Sequence, residues 1–182
     1  MMELSVRHII RVWAVVIGAA LLSLGCINDA DETAEETTLV KIGQLAPDFT
    51  VEMTDGSCIR LSELRGKVVL LTFWDPECPT CRREMAEAQN RIVERMESAG
   101  VKYLPISRGY DKKTITDFCK NNGYTFPVGI DPNKEIYGLY ATKFVPRSFI
   151  IDKGGIICYI YVEYELNKLE EILTAAETLT KE

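Results

Sequence analysis

Histidine is almost missing from this chain of 182 residues, with His8 the only one. A structural zinc site needs four Cys or His ligands. One histidine and a single C-x-x-C pair, Cys78 and Cys81, supply too few. No metal ligand set is therefore assigned. Basic residues are also short, 21 against 27 acidic, for a net charge of −6. That balance argues against nucleic acid, whose binding rests on neutralising phosphates. No apolar run reaches the roughly 20 residues that cross a bilayer. The longest, Val12–Leu24, has 13 residues. No internal repeat is evident, and 47% hydrophobic with 26% charged residues fits one globular domain.

What precedes and follows that apolar run reads as export. Arg7 and Arg11 give it a basic start, and Ser23-Leu24-Gly25 lead into Cys26. Small residues before a cysteine resemble the lipobox of bacterial lipoproteins, where that cysteine becomes the lipid-modified N-terminus. Ser23 stands where Leu is usual, and Leu22 lies one place early. The expectation is a lipoprotein signal peptide over 1–25 and lipidation at Cys26. An uncleaved anchor and an ordinary signal peptide are the alternatives. Removing 1–25 leaves 26 acidic and 19 basic residues. Residues 26–40 then form an acidic flexible tether, since Ile27–Thr38 carries five acids and no base. Bacterial export implies an oxidising compartment, where a dithiol stays reduced only if a partner supplies electrons.

The chemistry concentrates in Trp74–Cys81, WDPECPTC. Before it, Val68–Phe73 is a near-continuous apolar run, as in a strand buried on both faces. After it, Cys81, Met85, Ala88, Ile92, Met96 and Ala99 recur at helical spacing up to Gly100. Cys78 therefore falls at the N-cap, with Pro79 at the first helical position. Unpaired N–H groups and the helix dipole there favour a thiolate, which is the nucleophile in disulfide exchange. Cys81 lies on the inward face one turn deeper, placed to resolve a mixed disulfide. Asp75 and Glu77 oppose the thiolate and Arg82 and Arg83 favour it, leaving the size of the shift open. A purely structural staple is the plain alternative, but so short a loop contributes only about 2 kcal/mol.

The folded part is expected to begin near Lys41. Asp48–Met53 and Ser57–Leu61 flank Asp55-Gly56 as a hairpin. Further strands are expected over Val101–Ser107, Phe126–Ile130, Phe144–Ile151 and Ile156–Val162. Helices are expected over Asp111–Asn122, Pro132–Tyr140 and Glu165–Thr180. Alternation in the middle and a late hairpin predict an α/β fold: a mixed central sheet with helices on both faces.

Three motifs together, APDF (Ala46–Phe49), FWDPECPTC and FVPRSFIIDKGGII (Phe144–Ile157), resemble the thioredoxin superfamily. The likeness is to TlpA/ResA-like membrane-tethered thiol–disulfide oxidoreductases, related to the AhpC/TSA peroxiredoxin group. It covers about residues 41–180 of the 41–182 domain. It implies a thioredoxin-like fold with an N-terminal β-hairpin and an α-containing insertion near 111–141. It also implies that Cys78 attacks, that Cys81 resolves and that Glu84 manages the proton of the buried thiol. Pro146 becomes a cis-proline facing the cysteines, with Val145 offering its backbone to an extended substrate. Trp74 becomes an aromatic shield at the substrate side. No added cofactor is implied, since the Cys78–Cys81 disulfide is itself the redox group. Partners are protein thiols or disulfides, an upstream electron donor, and the membrane through Cys26, in the bacterial cell envelope.

Departures touch the rim. Asp75, Pro76 and Glu77 are atypical, and Arg147 follows the proline where Thr is usual, to select an acidic partner or simply to face solvent. A peroxiredoxin-like peroxidase is an alternative, but Asp75 and Leu71 stand where its motif needs Thr and Pro. A non-enzymatic binding or metallochaperone module is another, and the mature chain lacks the histidine that copper carriers use. Cys119 and Cys158 fall on apolar faces, where a cysteine acts as a small hydrophobe; a second disulfide among these two and Cys58 is the alternative, with no pair selected.

Overall fold

The computed structural model describes residues 32–163 and 166–181, with the side chains of 32–163 and 168–181. Residues 1–25, expected to be a signal peptide, and Cys26 lie outside the described residues. Seven strands form one mixed sheet: β1 Thr50–Met53, β2 Cys58–Arg60, β3 Val68–Trp74, β4 Val101–Arg108, β5 Gly129–Asp131, β6 Arg147–Ile151 and β7 Ile157–Val162, in spatial order β2-β1-β5-β4-β3-β6-β7. β3, β4 and β5 are parallel, and β6, β7 and the β1–β2 hairpin run antiparallel to their neighbours. Among the described residues no helix is long and apolar enough to cross a membrane.

Every residue of β3 is buried, as its unbroken apolar run requires of a central strand. Period-2 alternation divides it between two cores. Val68, Leu70 and Trp74 face a helical layer carrying Cys81, Met85, Ile92, Leu169 and Leu173. Val69, Leu71 and Phe73 face Phe49, Tyr137, Tyr140 and Phe149. The helical layer begins with α1, Pro79–Glu87, which passes through a π-helical turn at Ala88–Ile92 into α2, Val93–Ser98. Gly100 ends it at φ 75°, the left-handed conformation favoured there by glycine. The closing helix α4, Leu166–Leu179, packs beside it and offers Glu170 and Glu177 to Arg91 and Arg95.

Between β4 and β6 lies the helix-containing insertion. Its helix α3, Lys112–Asn121, is capped by Asp111, whose carboxylate accepts from the Thr114 N–H at 2.7 Å. The expected helix over 132–140 is instead a turn followed by a single 3-10 turn at Tyr137–Leu139. Asp131 takes the Tyr137 N–H at 2.8 Å, and Lys134 adopts φ 60°, so the chain is capped and bent rather than wound. The strand expected over 126–130 shifts to 129–131, since Pro127 has no N–H to give a ladder.

The acidic stretch differs most from expectation. Residues 33–40, read from composition as flexible tether, belong to the same compact unit as the sheet. Thr37 and Val40 are buried, and Thr38 forms an antiparallel bridge with Ala141. The Leu39 N–H donates to the Tyr140 carbonyl and the Thr142 N–H to the Thr37 carbonyl, each at 2.9 Å. Hydrogen bonding to a distant segment thus overrides the one-sign charge.

Gly129 sits where three strands meet. A Cβ there would come within 2.9 Å of both Ile106 Cγ1 and Val51 Cγ2. Gly129→Ala is expected to destabilise the protein by about 1–3 kcal/mol through overpacking, read as a lower urea midpoint.

Candidate active site

The parallel strands end beneath a loop, Asp75-Pro76-Glu77, that turns the chain into α1. Asp75 closes this turn: its carboxylate accepts from the Glu77 N–H at 2.8 Å and its carbonyl from the Cys78 N–H at 3.1 Å. Cys78 is the N-cap residue of α1, in extended conformation, with Pro79 at the first helical position. Its Sγ accepts the Cys81 N–H at 3.4 Å, the capping geometry that a thiolate satisfies best. The Thr80 hydroxyl lies 3.0 Å from the same sulfur. Burial opposes ionisation of Cys78, but the hydrogen bonds from Cys81 and Thr80 outweigh it and hold the thiol below its ordinary value.

Cys81 is fully buried. Burial first, then the neighbouring Cys78 and Glu84, push its thiol far above the usual range. The two sulfurs are therefore sorted, one half-buried and acidic, the other buried and protonated. Glu84, one turn further on, is not the solvated position its charge suggests. It is buried, and loss of water pushes its carboxyl up to about 8, against the opposing Ser148 hydroxyl. Ser148 in turn lies 2.8 Å from the Thr72 hydroxyl, its cross-strand partner.

The Val145–Pro146 peptide is cis, and the Val145 carbonyl stands 3.5 Å from Cys78 Sγ. The structure thus brings Cys78, Cys81, Glu84, Val145 and Pro146 together. Trp74 departs from its assignment to the substrate side. Its side chain is completely buried, packed at 5.6 Å against the Phe118 ring, and forms the floor under the motif instead of a surface for a partner. Arg147 departs too. It neither meets a partner nor faces solvent, being wholly buried. Thr80 carried no role in the sequence reading. Its place inside the C-x-x-C loop was the available signal.

Cys58 is exposed, Cys119 is buried, and Cys158 is half-buried with its Sγ 3.6 Å from the Ile156 carbonyl; burial pushes Cys119 up to about 11. Among the described residues no group of three or more His, Cys, Asp or Glu could hold a metal ion.

A dithiol at a helix N-terminus, opposite a cis-proline at the end of β3's antiparallel neighbour, defines a thioredoxin-fold dithiol protein. Residues 42–160 match the AhpC/TSA family. The thiol-disulfide oxidoreductase ResA of Geobacillus thermodenitrificans is 34% identical over 147 residues, covering 81% of this chain and 76% of its own. A solution structure from Bacteroides thetaiotaomicron, described as a candidate protein disulfide isomerase, superposes with TM-score 0.74 at 32% identity, covering 80% of this chain and 94% of that one. A candidate thiol:disulfide interchange protein DsbE from Chlorobium tepidum gives 0.65 at 26%, covering 76% and 99%. The chain belongs to the AhpC/TSA family and, within it, to the ResA-like thiol–disulfide oxidoreductases.

Glu84 has a consequence for stability. Unfolded, it ionises near 4.5; folded, it keeps its proton to about 8. Between those values the unfolded chain binds fewer protons, so stability present below pH 4.5 is lost as pH rises toward 8. Urea titrations of the reduced protein should show this decline, at up to about 1.4 kcal/mol per pH unit, and Glu84→Gln should flatten it.

Proposed function

We propose that this protein is a lipid-anchored, envelope-facing oxidoreductase that reduces disulfides in other envelope proteins. The observation that carries the reading is the pair of unequal sulfurs, with the more acidic one beside the Val145 carbonyl. The Cys78 thiolate attacks one sulfur of a target disulfide, forming a mixed disulfide and releasing a target thiolate. In its ionised form, the minority below pH 8, Glu84 takes the Cys81 proton, and the Cys81 thiolate attacks Cys78 Sγ. The second target thiolate leaves, and a Cys78–Cys81 disulfide remains. Two electrons pass to the target; the Cys81 proton is released from Glu84 to one target thiolate, the other takes its proton from water, and an upstream donor must return the electrons. The disulfide is the whole redox apparatus, with no added cofactor. Val145 and Pro146 receive the substrate as an extended segment pairing with backbone.

Residues 1–25 serve as a signal peptide and Cys26 carries the lipid in this reading. The small residues before Cys26 and the acidic stretch behind it support that placement. In a bacterial host, a labelled fatty acid should be incorporated into the full chain, and Cys26→Ser should abolish the label.

Cys81→Ser is expected to accumulate mixed disulfides through Cys78, visible as reducible adducts on non-reducing gels. Cys78→Ser should form none and should lower protein-disulfide reduction by at least about a thousandfold, as loss of a nucleophile does. Undiminished activity in Cys78→Ser would overturn the assignment.

A further inference from the structure

Arg147 stands directly after the cis-proline and has no exposed surface, yet no carboxylate among the described residues pairs with it. A buried guanidinium without a counter-ion is costly unless its donors are placed. Here each of its three nitrogens has an acceptor, four of the five N–H groups in all. Nη2 donates to the Thr37 hydroxyl at 3.0 Å and the Lys143 carbonyl at 2.8 Å, Nη1 donates to the Thr38 hydroxyl, and Nε reaches the Phe144 carbonyl at 3.4 Å. Tyr137 and Arg108 are the ionisable groups beside it.

Those acceptors belong to two separate pieces of chain. Thr37 and Thr38 lie on the N-terminal segment bridged to Ala141. Lys143 and Phe144 form the approach to the active-site edge. Phe144 holds φ at 66°, a region that an L side chain with a ring seldom enters. Its flanking carbonyls are clamped twice, by Arg147 and by the Tyr137 hydroxyl, which donates to Lys143 at 2.6 Å and Phe144 at 2.9 Å. The next carbonyl along the chain is that of Val145, 3.5 Å from Cys78 Sγ. An unfavourable backbone conformation persists where its surroundings over-determine it. Here the N-terminal segment is part of those surroundings.

We propose that Arg147 is a positioning residue that ties the docking of Thr37 and Thr38 to the Val145 edge, keeping the substrate-pairing backbone in register with Cys78. The proposal rests on the oxidoreductase reading and adds the N-terminal segment to the binding apparatus. It separates two properties that a plain stability role would move together. Extended peptide substrates need the Val145 backbone, whereas a small aromatic disulfide needs only the Cys78 thiolate at the helix N-terminus.

The test uses the full chain with three variants. Arg147→Met removes every donor and keeps apolar length, Arg147→Lys keeps one charged donor, and Thr37→Val/Thr38→Val leaves Arg147 in place. For a disulfide-bonded peptide, KM should rise about tenfold in Arg147→Met and about threefold in the threonine double variant, the size expected from losing a few hydrogen bonds. Arg147→Lys should fall between Arg147→Met and wild type. The rate with the small disulfide should change by less than about twofold, since exchange there follows thiolate fraction. Unchanged peptide KM in the folded variants would overturn the proposal, as would a parallel fall with both substrates. If Arg147→Met does not fold, the threonine double variant decides alone by the same criteria. Failure of the wild type to reduce the peptide would instead overturn the oxidoreductase reading, and this inference with it.

Discussion

The antiparallel ladder between β3 and β6 is the constraint on which the site depends. Five residue pairs, from Val69↔Ile151 to Phe73↔Arg147, place the end of one strand against the start of the other. Neither strand carries Cys78. The chain leaves β3 at Trp74 and reaches Cys78 four residues later, while Pro146 immediately precedes β6. A slip of one residue would turn every side chain of β6 to the opposite face and carry Val145 away from the sulfur. Both faces of this sheet are packed, so such a slip would force Phe149 into the layer that receives Ile150 and misfit both cores. The register is held by the core and the chemistry is held by the register.

On that frame, burial does different work at three groups along one helix. At Cys78 it is partial and is overcome by donors from Thr80 and Cys81. At Cys81 it is complete and keeps the proton in place. At Glu84 it raises a carboxyl toward neutrality, where a carboxylic acid exchanges protons instead of remaining a fixed anion. The helix period sets the order, since residues 81 and 84 share a face and 78 lies at its open end. A single surface-to-core gradient thus gives three successive positions an easily ionised thiol, a buried protonated thiol and a carboxyl held near neutrality.

Much of this was legible in the residues. An apolar run, a proline after a cysteine and a 3.6-residue period suffice to put Cys78 on a helix tip. The late V-P-R-S-F segment suffices to raise a cis-proline once the family is recognised. Three things were not legible, for a shared reason. Arg147 reads alone as a surface charge, because Thr37 and Thr38, its side-chain partners, lie more than 100 residues away in sequence. Thr37 and Thr38 read as tether for the same cause seen from the other side, and composition counts charges but not hydroxyl partners. Trp74 reads as a strand-end aromatic, and β3's alternation points it to the helical core, but its cover there includes Phe118, which arrives with the insertion.

The docked segment also gives the domain a hidden boundary. A truncation made near Lys41, where the acidic composition ends, would strip Thr37 and Thr38 from Arg147 and deprive a buried guanidinium of two of its hydrogen bonds. The shortest piece of chain that keeps its interior satisfied therefore starts before residue 37, earlier than charge patterning marks.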